Sequence, residues 1–288
     1  MVRTMVGAVV RDILSSEGKS PPMHTKWELV ACCAKIATLQ GLSKVRTNHQ
    51  RRNFEVQHLS ALDLKFCFPD LSLFGFLFTE IFINQDYFFL TDRKDPLIID
   101  CGSNMGLSIL YFKQRYPKAR IVGFEPDRTT FEILEKNVAA NGLSDVALHN
   151  CALADREGEA ELFCNPSALG SPVTSLRKER SDLNIESKKV ITVLLSNYLG
   201  SEVDFLKLDI EGMEMAVIED LAGKGKLSQV REMAIEYHHH IPADDDALSH
   251  LLTVLENNGF GYRMAASMGW PIEDRRNMQD ILIRAYRK

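Results

Sequence analysis

The residues with the clearest chemical potential form a turn with two glycines, Asp100-Cys101-Gly102-Ser103-Asn104-Met105-Gly106. A short apolar run precedes this turn, and a segment with apolar residues at helical spacing follows it, which predicts a strand, a turn and a helix. Glycine allows backbone angles that other residues avoid and lets a ligand approach the main chain. The start of a helix adds free N–H groups that suit a carboxylate or a phosphate. The stretch therefore predicts the first βα unit of a nucleotide-binding sheet.

A second candidate is the acid that ends the next predicted strand. The apolar stretch 120–124 is followed by Glu125 and Pro126, about 20 residues past the glycine turn. In nucleotide-binding sheets an acid at this spacing accepts hydrogen bonds from ribose hydroxyls. A surface glutamate at a strand end is the simpler alternative, but the spacing favours ribose binding.

The third group lies at the ends of two later strands. The sequence Lys207-Leu208-Asp209-Ile210-Glu211-Gly212-Met213-Glu214 follows one buried strand, and His238-His239-His240 follows the predicted strand 232–237. In an open α/β sheet the carboxyl ends of the strands line the ligand crevice. The sequence therefore predicts Asp209, Glu211 and His238 as candidate catalytic residues.

Two assignments of proton chemistry are open for this group. His238 could act as a general base toward a hydroxyl, which is the favoured assignment. Alternatively, Asp209 and Glu211, with Glu236 or His238, could bind a divalent metal that lowers the pKa of the hydroxyl. The histidine run could also be a solvated loop.

The elements that must position these residues alternate between strand and helix. Further strands are predicted at 146–153, 160–163 and 189–193, and helices at 131–140, 215–221 and 244–257, with a terminal antiparallel hairpin from 259–265 and 280–286. Period-two alternation predicts strands within 53–68, and 70–78 is predicted as a loop or a short helix. This rhythm predicts an α/β fold, a mostly parallel sheet with helices on both faces.

Composition narrows the class of protein. The chain has 288 residues, 45% hydrophobic and 25% charged, with a net charge of −5. We expect no nucleic-acid partner because the chain lacks a general basic field. No apolar run is long enough to cross a membrane, and no secretory signal is recognisable at the N-terminus. Six cysteines without a C-x-x-C pair favour reduced thiols and a cytoplasmic location.

Two domains are expected from the change in pattern along the chain. Residues 1–90 read as a helical and strand extension, with two helical segments before residue 45, and residues 91–288 read as the cofactor-binding domain. The extension could be a packed cover, a lid over the cofactor or a contact between two copies in a homodimer.

Four motifs in this order resemble the FkbM family of methyltransferases that use S-adenosylmethionine (SAM). They are the glycine turn, Phe124-Glu125-Pro126, Asn137-x-x-x-Asn141-Gly142 and the segment 207–214, which is similar to the family signature K-x-D-x-E-G-x-E. The resemblance covers residues 79–237. It implies a class I methyltransferase fold, a Rossmann-like seven-stranded sheet with its last strand antiparallel and SAM at the carboxyl edge.

The resemblance also implies roles for individual residues. The glycine turn would hold the methionine part of SAM, Glu125 and Pro126 the ribose, and the segment after the third strand the adenine. The full set of expected cofactor contacts is Glu80, Tyr87, Asp100, Gly102, Ser103, Asn104, Gly106, Glu125, Pro126, Asn150, Ala152, Leu153 and Asp209. The chain departs from the family where Ser196-Asn197 stands in place of two aspartates.

The family resemblance implies O-methylation of a small-molecule acceptor of natural-product or glycan type. The expected acceptor pocket includes the N-terminal helices and residues 165–182 and 264–270. Three alternatives are open: N-methylation of a small amine, a nicotinamide-dependent oxidoreductase, and a SAM-binding scaffold without catalysis. Asn104 in place of the middle glycine of the dinucleotide fingerprint weakens the oxidoreductase.

Overall fold

The computed structural model describes residues 57–165, 174–180, 185–241, 247–266 and 279–288. The two helices expected before residue 45 lie outside the described residues. So do most of the segment 165–182, the first residues of the predicted helix 244–257 and residues 267–270.

Short strands and helices alternate along the described chain. The strands are β1 (Gln57–Ala61), β2 (Leu64–Phe68), β3 (Leu97–Cys101), β4 (Arg120–Phe124), β5 (Val146–His149), β6 (Ala152–Leu153), β7 (Gly158–Cys164), β8 (Glu186–Val193), β9 (Val203–Leu208), β10 (Val230–His239), β11 (Phe260–Ala266) and β12 (Gln279–Arg287). The helices are α1 (Leu71–Phe78), α2 (Leu107–Arg115), α3 (Arg128–Ala140), α4 (Glu214–Gly223) and α5 (Leu248–Asn257). A π-helical turn, Thr79–Asn84, continues α1.

Seven strands form the central sheet in the spatial order β11-β12-β10-β9-β3-β4-β5. Neighbours among β3, β4, β5, β9 and β10 pair in parallel. β12 lies between β10 and β11 and is antiparallel to both. The predicted mostly parallel sheet, with an antiparallel last strand and a terminal hairpin, is confirmed.

The predicted third strand, 146–153, is wrong as a single element. β5 ends at His149, and β6 instead joins a separate three-stranded sheet with the order β6-β8-β7. The chain leaves the central sheet at Asn150, whose Nδ2 donates to the carbonyl oxygens of Glu125 (2.9 Å) and Pro126 (3.0 Å). These bonds fix the chain to the loop after β4 and turn it away from the sheet edge.

Apolar side chains cover both faces of the central sheet, as the alternation predicts. One core contains buried residues of α1, the π-helical turn, α2 and α3. The other contains buried residues of α4 and α5. Because the parallel strands are apolar on both sides, helices are needed on both faces to exclude water.

The hairpin of β1 and β2 is attached to α3 by the motif Asn137-x-x-x-Asn141. The amide of Asn137, fully buried, donates to the carbonyl of Cys67 (2.9 Å) and accepts from its N–H (2.6 Å). Asn141 makes the same pair of bonds with Lys65 (2.7 and 2.8 Å). The two side-chain amides therefore pair with the edge of β2 as the backbone of another strand would. The role of this motif is structural, because it attaches α3 to the hairpin.

Among the described residues, no helix is long and apolar enough to span a membrane. The cysteines at positions 67, 101, 151 and 164 are buried thiols and form no disulfide within the described chain.

Candidate active site

A cavity of about 870 Å³ lies at the carboxyl ends of the parallel strands. This volume is in the range of about 300–1,000 Å³ that is common for small-molecule sites. Its walls come from the glycine turn, the loops after β4 and β9, β10, the π-helical turn and the terminal hairpin. The predicted location of the ligand crevice therefore holds a cavity of suitable size.

The glycine turn and the acidic loop after β9 touch through their backbones. Gly102 has φ +80°, and a Cβ placed on it would lie 1.8 Å from the carbonyl oxygen of Asp209. The N–H groups of Gly102 and Ser103 donate to the carbonyl of Phe124 (3.1 and 2.8 Å). Only glycine fits at position 102, because any side chain would push the two cavity-lining segments apart.

Glu125 is held at the cavity wall by backbone N–H groups. Its Oε2 accepts from Asn104 (3.0 Å) and its Oε1 accepts from Asp127 (2.9 Å). Burial raises the pKa of Glu125 to about 8. With its carboxyl group fixed in orientation by both bonds, Glu125 is suited to accept hydrogen bonds from the hydroxyls of a ribose.

Lys207 lies beneath the cavity, between two aspartates. Its Nζ is 3.1 Å from Oδ2 of Asp209 and 3.6 Å from Oδ1 of Asp100, and it donates to the carbonyl of Gly102 (2.8 Å). Burial alone would lower the pKa of Lys207, but Asp209 and Asp100 outweigh burial and raise it. In turn, the Lys207 ammonium outweighs burial at Asp209 and lowers the pKa of that carboxyl.

Three further groups surround the acidic end of the cavity. The Tyr87 hydroxyl donates to Oδ2 of Asp209 (3.1 Å) and lies 3.4 Å from Oε2 of Glu236. Burial, followed by the nearby Asp209, raises the pKa of Glu236 to about 8. Burial, with Glu236 and Asp209 nearby, raises the pKa of Glu80 to about 9. Glu80 and Glu236 therefore join Glu125 as carboxyl groups with raised pKa values that face the cavity.

His238, predicted as the base, is not among the residues that line this cavity, and its catalytic role stays a prediction. It lies inside β10 with its side chain 1% exposed; Nδ1 is 2.9 Å from Oε1 of Glu214 and Nε2 is 3.2 Å from Oε2 of Glu211. Burial alone would lower the pKa of His238, but Glu214 and Glu211 outweigh burial and raise it to about 10. A histidine that is charged at neutral pH and shielded from the cavity is poorly placed to take a proton from an acceptor.

Three of the expected cofactor contacts also lie behind the cavity wall. Asp100 is fully buried and accepts from the Ser108 hydroxyl (2.6 Å). Gly106 begins α2 and packs against Leu134. Asn150 faces the loop after β4, as described above. These residues shape the turns that carry the lining residues, and their contact with a cofactor stays a prediction.

The other predicted site residues are brought together around the cavity. Its lining includes Glu80, Tyr87, Gly102, Ser103, Asn104, Glu125, Pro126, Ala152, Leu153, Asp209 and Glu211. Of the expected acceptor segments, residues 174–176 and 265–266 contribute to the walls.

Several residues of the site were not assigned from the sequence. The sequence pattern around Lys207 could have indicated a site residue, because a lysine flanked by apolar residues in a buried strand is unusual without a partner. No sequence pattern indicated Arg284. It lies on β12 and donates to the carbonyls of Gln85, Asp86 and Phe88, and thereby fixes the segment that carries Tyr87. Asp280, a lining residue beside His238 in the β10–β12 register, also gave no signal.

The strand order, the antiparallel β12 and a cavity at the carboxyl edge with a ribose-type acid define a class I methyltransferase architecture. The class uses SAM as methyl donor.

Comparison with known proteins identifies the family. Residues 100–263 match the methyltransferase FkbM domain, more than half of the 288 residues, and the chain belongs to this family.

Curated relatives include proteins from fungi and bacteria. Methyltransferase 1 of Beauveria bassiana is 29% identical over 51% of this chain and 66% of its own length. The 2-O-methyltransferase NoeI of Sinorhizobium fredii is 26% identical over 51% of this chain and 65% of its own. The 31-O-demethyl-FK506 methyltransferase FkbM of Streptomyces tacrolimicus is 23% identical over 64% and 81%.

A solved structure of methyltransferase FkbM from Methylobacillus flagellatus covers 68% of this chain and 45% of its own, with 17% identity and a TM-score of 0.44. The chain thus spans slightly under two thirds of the first two of these relatives and under half of this structure.

Proposed function

We propose that this chain is a SAM-dependent O-methyltransferase that acts on a hydroxyl of a small-molecule acceptor. The observation that carries the proposal is the set of groups that line one cavity. They are a glycine turn, the backbone-held Glu125 and the carboxyl groups of Glu80, Asp209 and Glu236. The relatives named for 2-O- and 31-O-methylation support the choice of oxygen.

The chemistry of the lining fits the proposed cofactor. The glycine turn lines the cavity with Gly102, Ser103 and Asn104. Glu125 offers fixed acceptors for ribose hydroxyls, and Ala152 and Leu153 give an apolar wall for adenine. When bound, SAM supplies an activated methyl group. Asp209, whose pKa is lowered by Lys207, stays ionised and supplies the negative charge that suits the sulfonium and ammonium groups of SAM.

A hydroxyl acceptor must lose its proton during the transfer, and Glu236 is our candidate base. It faces the cavity, whereas His238 does not. Its Oε2 lies 3.4 Å from the Tyr87 hydroxyl, which bonds to Asp209, so these groups form a connected chain beside the cavity. A base with a pKa of about 8 is well matched to neutral or mildly alkaline conditions.

The acceptor would lie between the π-helical turn and the terminal hairpin. Apolar walls are provided there by Phe76, Leu77, Ile81, Ala265 and Leu282. Phe76 is 43% exposed, as expected for a side chain at the mouth of a cavity. A small acceptor with an apolar body and a hydroxyl that reaches Glu236 fits these walls.

The acidic end also favours a second candidate, N-methylation of a small amine, because carboxylates attract an ammonium group. The two candidates differ in their need for a base. Glu236→Gln should lower turnover of a hydroxyl acceptor by about 100-fold or more, whereas an amine acceptor with a near-neutral pKa should lose much less.

The proposal is tested first by calorimetric titration of S-adenosylhomocysteine into EDTA-treated protein. We expect micromolar binding by the wild type and a loss of about tenfold or more in Glu125→Ala, since that change removes the fixed ribose acceptor. Glu132→Ala is the matched control, because Glu132 lies on the surface of α3 and pairs with Arg128, which also lies on the surface. Absence of binding by folded wild-type protein would refute the proposal.

The acceptor is then sought by incubating the protein with radiolabelled SAM and a panel of hydroxylated and amino compounds. Turnover of a hydroxyl acceptor should rise as the pH increases through about 8, where Glu236 loses its proton. A rate that is unchanged by Glu236→Gln would exclude Glu236 as the base.

A further inference from the structure

One ring nitrogen of His238 is buried without a hydrogen bond. The side chain is 1% exposed, and its Nδ1 lies 2.9 Å from Oε1 of Glu214. That oxygen also accepts from the backbone N–H groups of Ile210 (3.1 Å) and Gly212 (2.9 Å), as an ionised carboxylate does, so Nδ1 donates to it. Nε2 makes no hydrogen bond within the part of the chain that the structure describes. Since buried polar atoms are normally paired, Nε2 calls for a partner.

The nearby carboxylates indicate what kind of partner fits Nε2 of His238. The atom is 3.2 Å from Oε2 of Glu211 and 3.9 Å from Oδ1 of Asp280. In a neutral ring whose Nδ1 donates, Nε2 carries a lone pair, which repels a carboxylate oxygen unless a positive charge lies beside both atoms. A proton on Nε2 would give a hydrogen bond if the oxygen lay along the N–H direction, and that bond is not formed. A metal ion bound by both atoms has no such requirement.

Asp209 completes a set of three ligand atoms. One atom each from Asp209, Glu211 and His238 lies within 4.8 Å of the others. Two ligands that are about 2.1 Å from one ion, and at right angles around it, are about 3.0 Å apart. The 3.2 Å contact between His238 and Glu211 is close to this spacing. An ion off the line between the two atoms therefore accounts for both the short contact and the missing hydrogen bond.

Neighbouring side chains fix two of the ligands, as is usual around metal sites. Glu214 holds Nδ1 of His238 and thereby sets the orientation of the ring. Lys207 and the Tyr87 hydroxyl hold Oδ2 of Asp209, each at 3.1 Å. A carboxylate that orients a metal-binding histidine through its other nitrogen is a common arrangement.

Glu211, the third ligand, is held in an unusual backbone conformation. Its φ is +56°, in the left-handed region that a residue with a side chain rarely adopts. The Ser175 hydroxyl donates to its carbonyl oxygen (2.5 Å). Such conformations persist where the surrounding structure fixes them, and they are frequent at ligand sites. This conformation places the Glu211 side chain against Nε2 of His238.

The donor set indicates which ions fit. An imidazole favours transition-metal ions, and carboxylates also accept Mn²⁺, so one histidine with two carboxylates suits a divalent transition ion. Three protein ligands leave further coordination positions open, as in catalytic metal sites. Asp209 and Glu211 line the cavity, so an ion that they bind lies at its wall.

We propose that Asp209, Glu211 and Nε2 of His238 form a binding site for a divalent transition-metal ion at the wall of the cavity. Burial lowers the pKa of His238, but Glu214 and Glu211 outweigh burial and raise it to about 10 when no ion is bound. The same negative charge attracts a metal ion, which displaces that proton when it binds. A bound ion would also ease the loss of a proton from an acceptor hydroxyl, and this use of the site rests on the proposed function.

The test is a titration of Mn²⁺, followed by electron paramagnetic resonance, into the full chain after metals and EDTA have been removed. We expect one saturable site with a Kd below about 100 μM, and at least about tenfold weaker binding by His238→Gln, which lacks the imidazole ligand. His250→Gln is the matched control, because His250 pairs with Glu219 on the surface. Pulsed spectra should show a nitrogen coupled to Mn²⁺ in the wild type but not in His238→Gln.

Absence of saturable Mn²⁺ binding below about 1 mM by folded wild-type protein would overturn the proposal and leave a proton as the partner of Nε2. Wild-type affinity in a folded His238→Gln variant would overturn it as well. If circular dichroism shows that His238→Gln is unfolded, Glu211→Gln replaces it with the same expected loss of affinity. The titration does not depend on the proposed function. Wild-type protein that binds Mn²⁺ but not S-adenosylhomocysteine would refute that function and leave the metal site standing.

Discussion

Helix α4 carries two glutamates, and each contacts a different histidine at the same distance. One of these pairs is buried and the other is exposed to solvent. Glu214 lies 2.9 Å from His238, and both side chains are 1% exposed. Glu219 also lies 2.9 Å from its partner, His250, but these side chains are 53% and 56% exposed. The geometry of the two contacts is nearly equal, so any difference in their effects must come from the surroundings.

Burial changes how much such a pair contributes to stability. In water, the attraction between exposed charges is offset by their hydration and by the entropy of two long side chains, and such pairs contribute about 0–1 kcal/mol. Inside a protein, neither partner can find water when the other is removed, so breaking the pair costs about 3–5 kcal/mol. The buried pair therefore constrains the structure around it, and the exposed pair does not.

The largest expected difference is in stability. Glu214→Ala should lower the free energy of unfolding by about 3–5 kcal/mol, because it leaves the His238 cation and two backbone N–H groups without their acceptor. Glu219→Ala should lower it by less than about 1 kcal/mol. Urea unfolding of both variants measures the difference. Equal losses would mean that burial does not distinguish the pairs.

The sequence was sufficient to predict most of the fold and the position of the site. Apolar runs and glycine turns mark the strands β3, β4, β9 and β10, and parallel strands bring their carboxyl ends to one edge. The turn at Asn150 was not predictable, because it depends on bonds to a loop that is distant in sequence.

The roles within the acidic group could not be read from the sequence. His238, His239 and His240 are equivalent in a linear chain, and only packing shows that His238 lies against α4, where Glu214 meets it. Glu236 and His238 lie on the same face of β10, as the period of two requires, yet only Glu236 reaches the cavity. That distinction depends on neighbouring elements, which local patterns do not contain.

The second prediction concerns pH. The folded pKa of His238, about 10, lies above its ordinary value of 6.5. Its contribution to stability is therefore complete below about pH 6.5 and is lost as the pH rises through about 10, with a slope of up to about 1.4 kcal/mol per pH unit. His238→Gln should remove this part of the pH dependence from urea unfolding curves. His250→Gln should leave the wild-type slope.

Carboxyl groups with raised pKa values also make stability fall as the pH increases, but over a lower pH range than His238. Glu236 and Glu80 bind protons more tightly in the folded chain, so stability falls from about pH 4.5 to about 8 and 9. Above pH 9 these carboxyls have titrated. Buried cysteines such as Cys151, whose pKa burial raises to about 11, titrate there in both proteins, so the difference between wild type and His238→Gln reports on His238. An unchanged slope in His238→Gln between pH 9 and 10 would show that the histidine does not carry the charge.

The third prediction concerns ligand affinity. The loop that His238 holds contacts the glycine turn through Asp209 and Gly102. His238→Gln should therefore weaken binding of S-adenosylhomocysteine by about tenfold, which corresponds to about 1.4 kcal/mol. His250→Gln should change the affinity by less than about twofold. Calorimetric titration at pH 7 compares the two, and equal affinities would limit the buried pair to a role in stability.

The smallest expected effect is a difference between the two pairs in how their coupling energy depends on salt concentration. A double-mutant cycle measures the coupling of each histidine with its glutamate independently of other contacts. For His250 and Glu219 the coupling should be below about 1 kcal/mol at low salt and should fall toward zero in about 1 M NaCl, where the screening length is about 3 Å.

For His238 and Glu214 the coupling should persist at the same salt concentration. Ions reach an exposed pair and screen its charges, but they cannot enter the interior between β10 and α4. The buried coupling should thus depend on pH and not on salt, whereas the exposed coupling should depend on salt. A buried coupling that disappears in salt would mean that solvent reaches His238. In that case His238 would be open to the cavity, and the assignment of a general base to this histidine would have to be reconsidered.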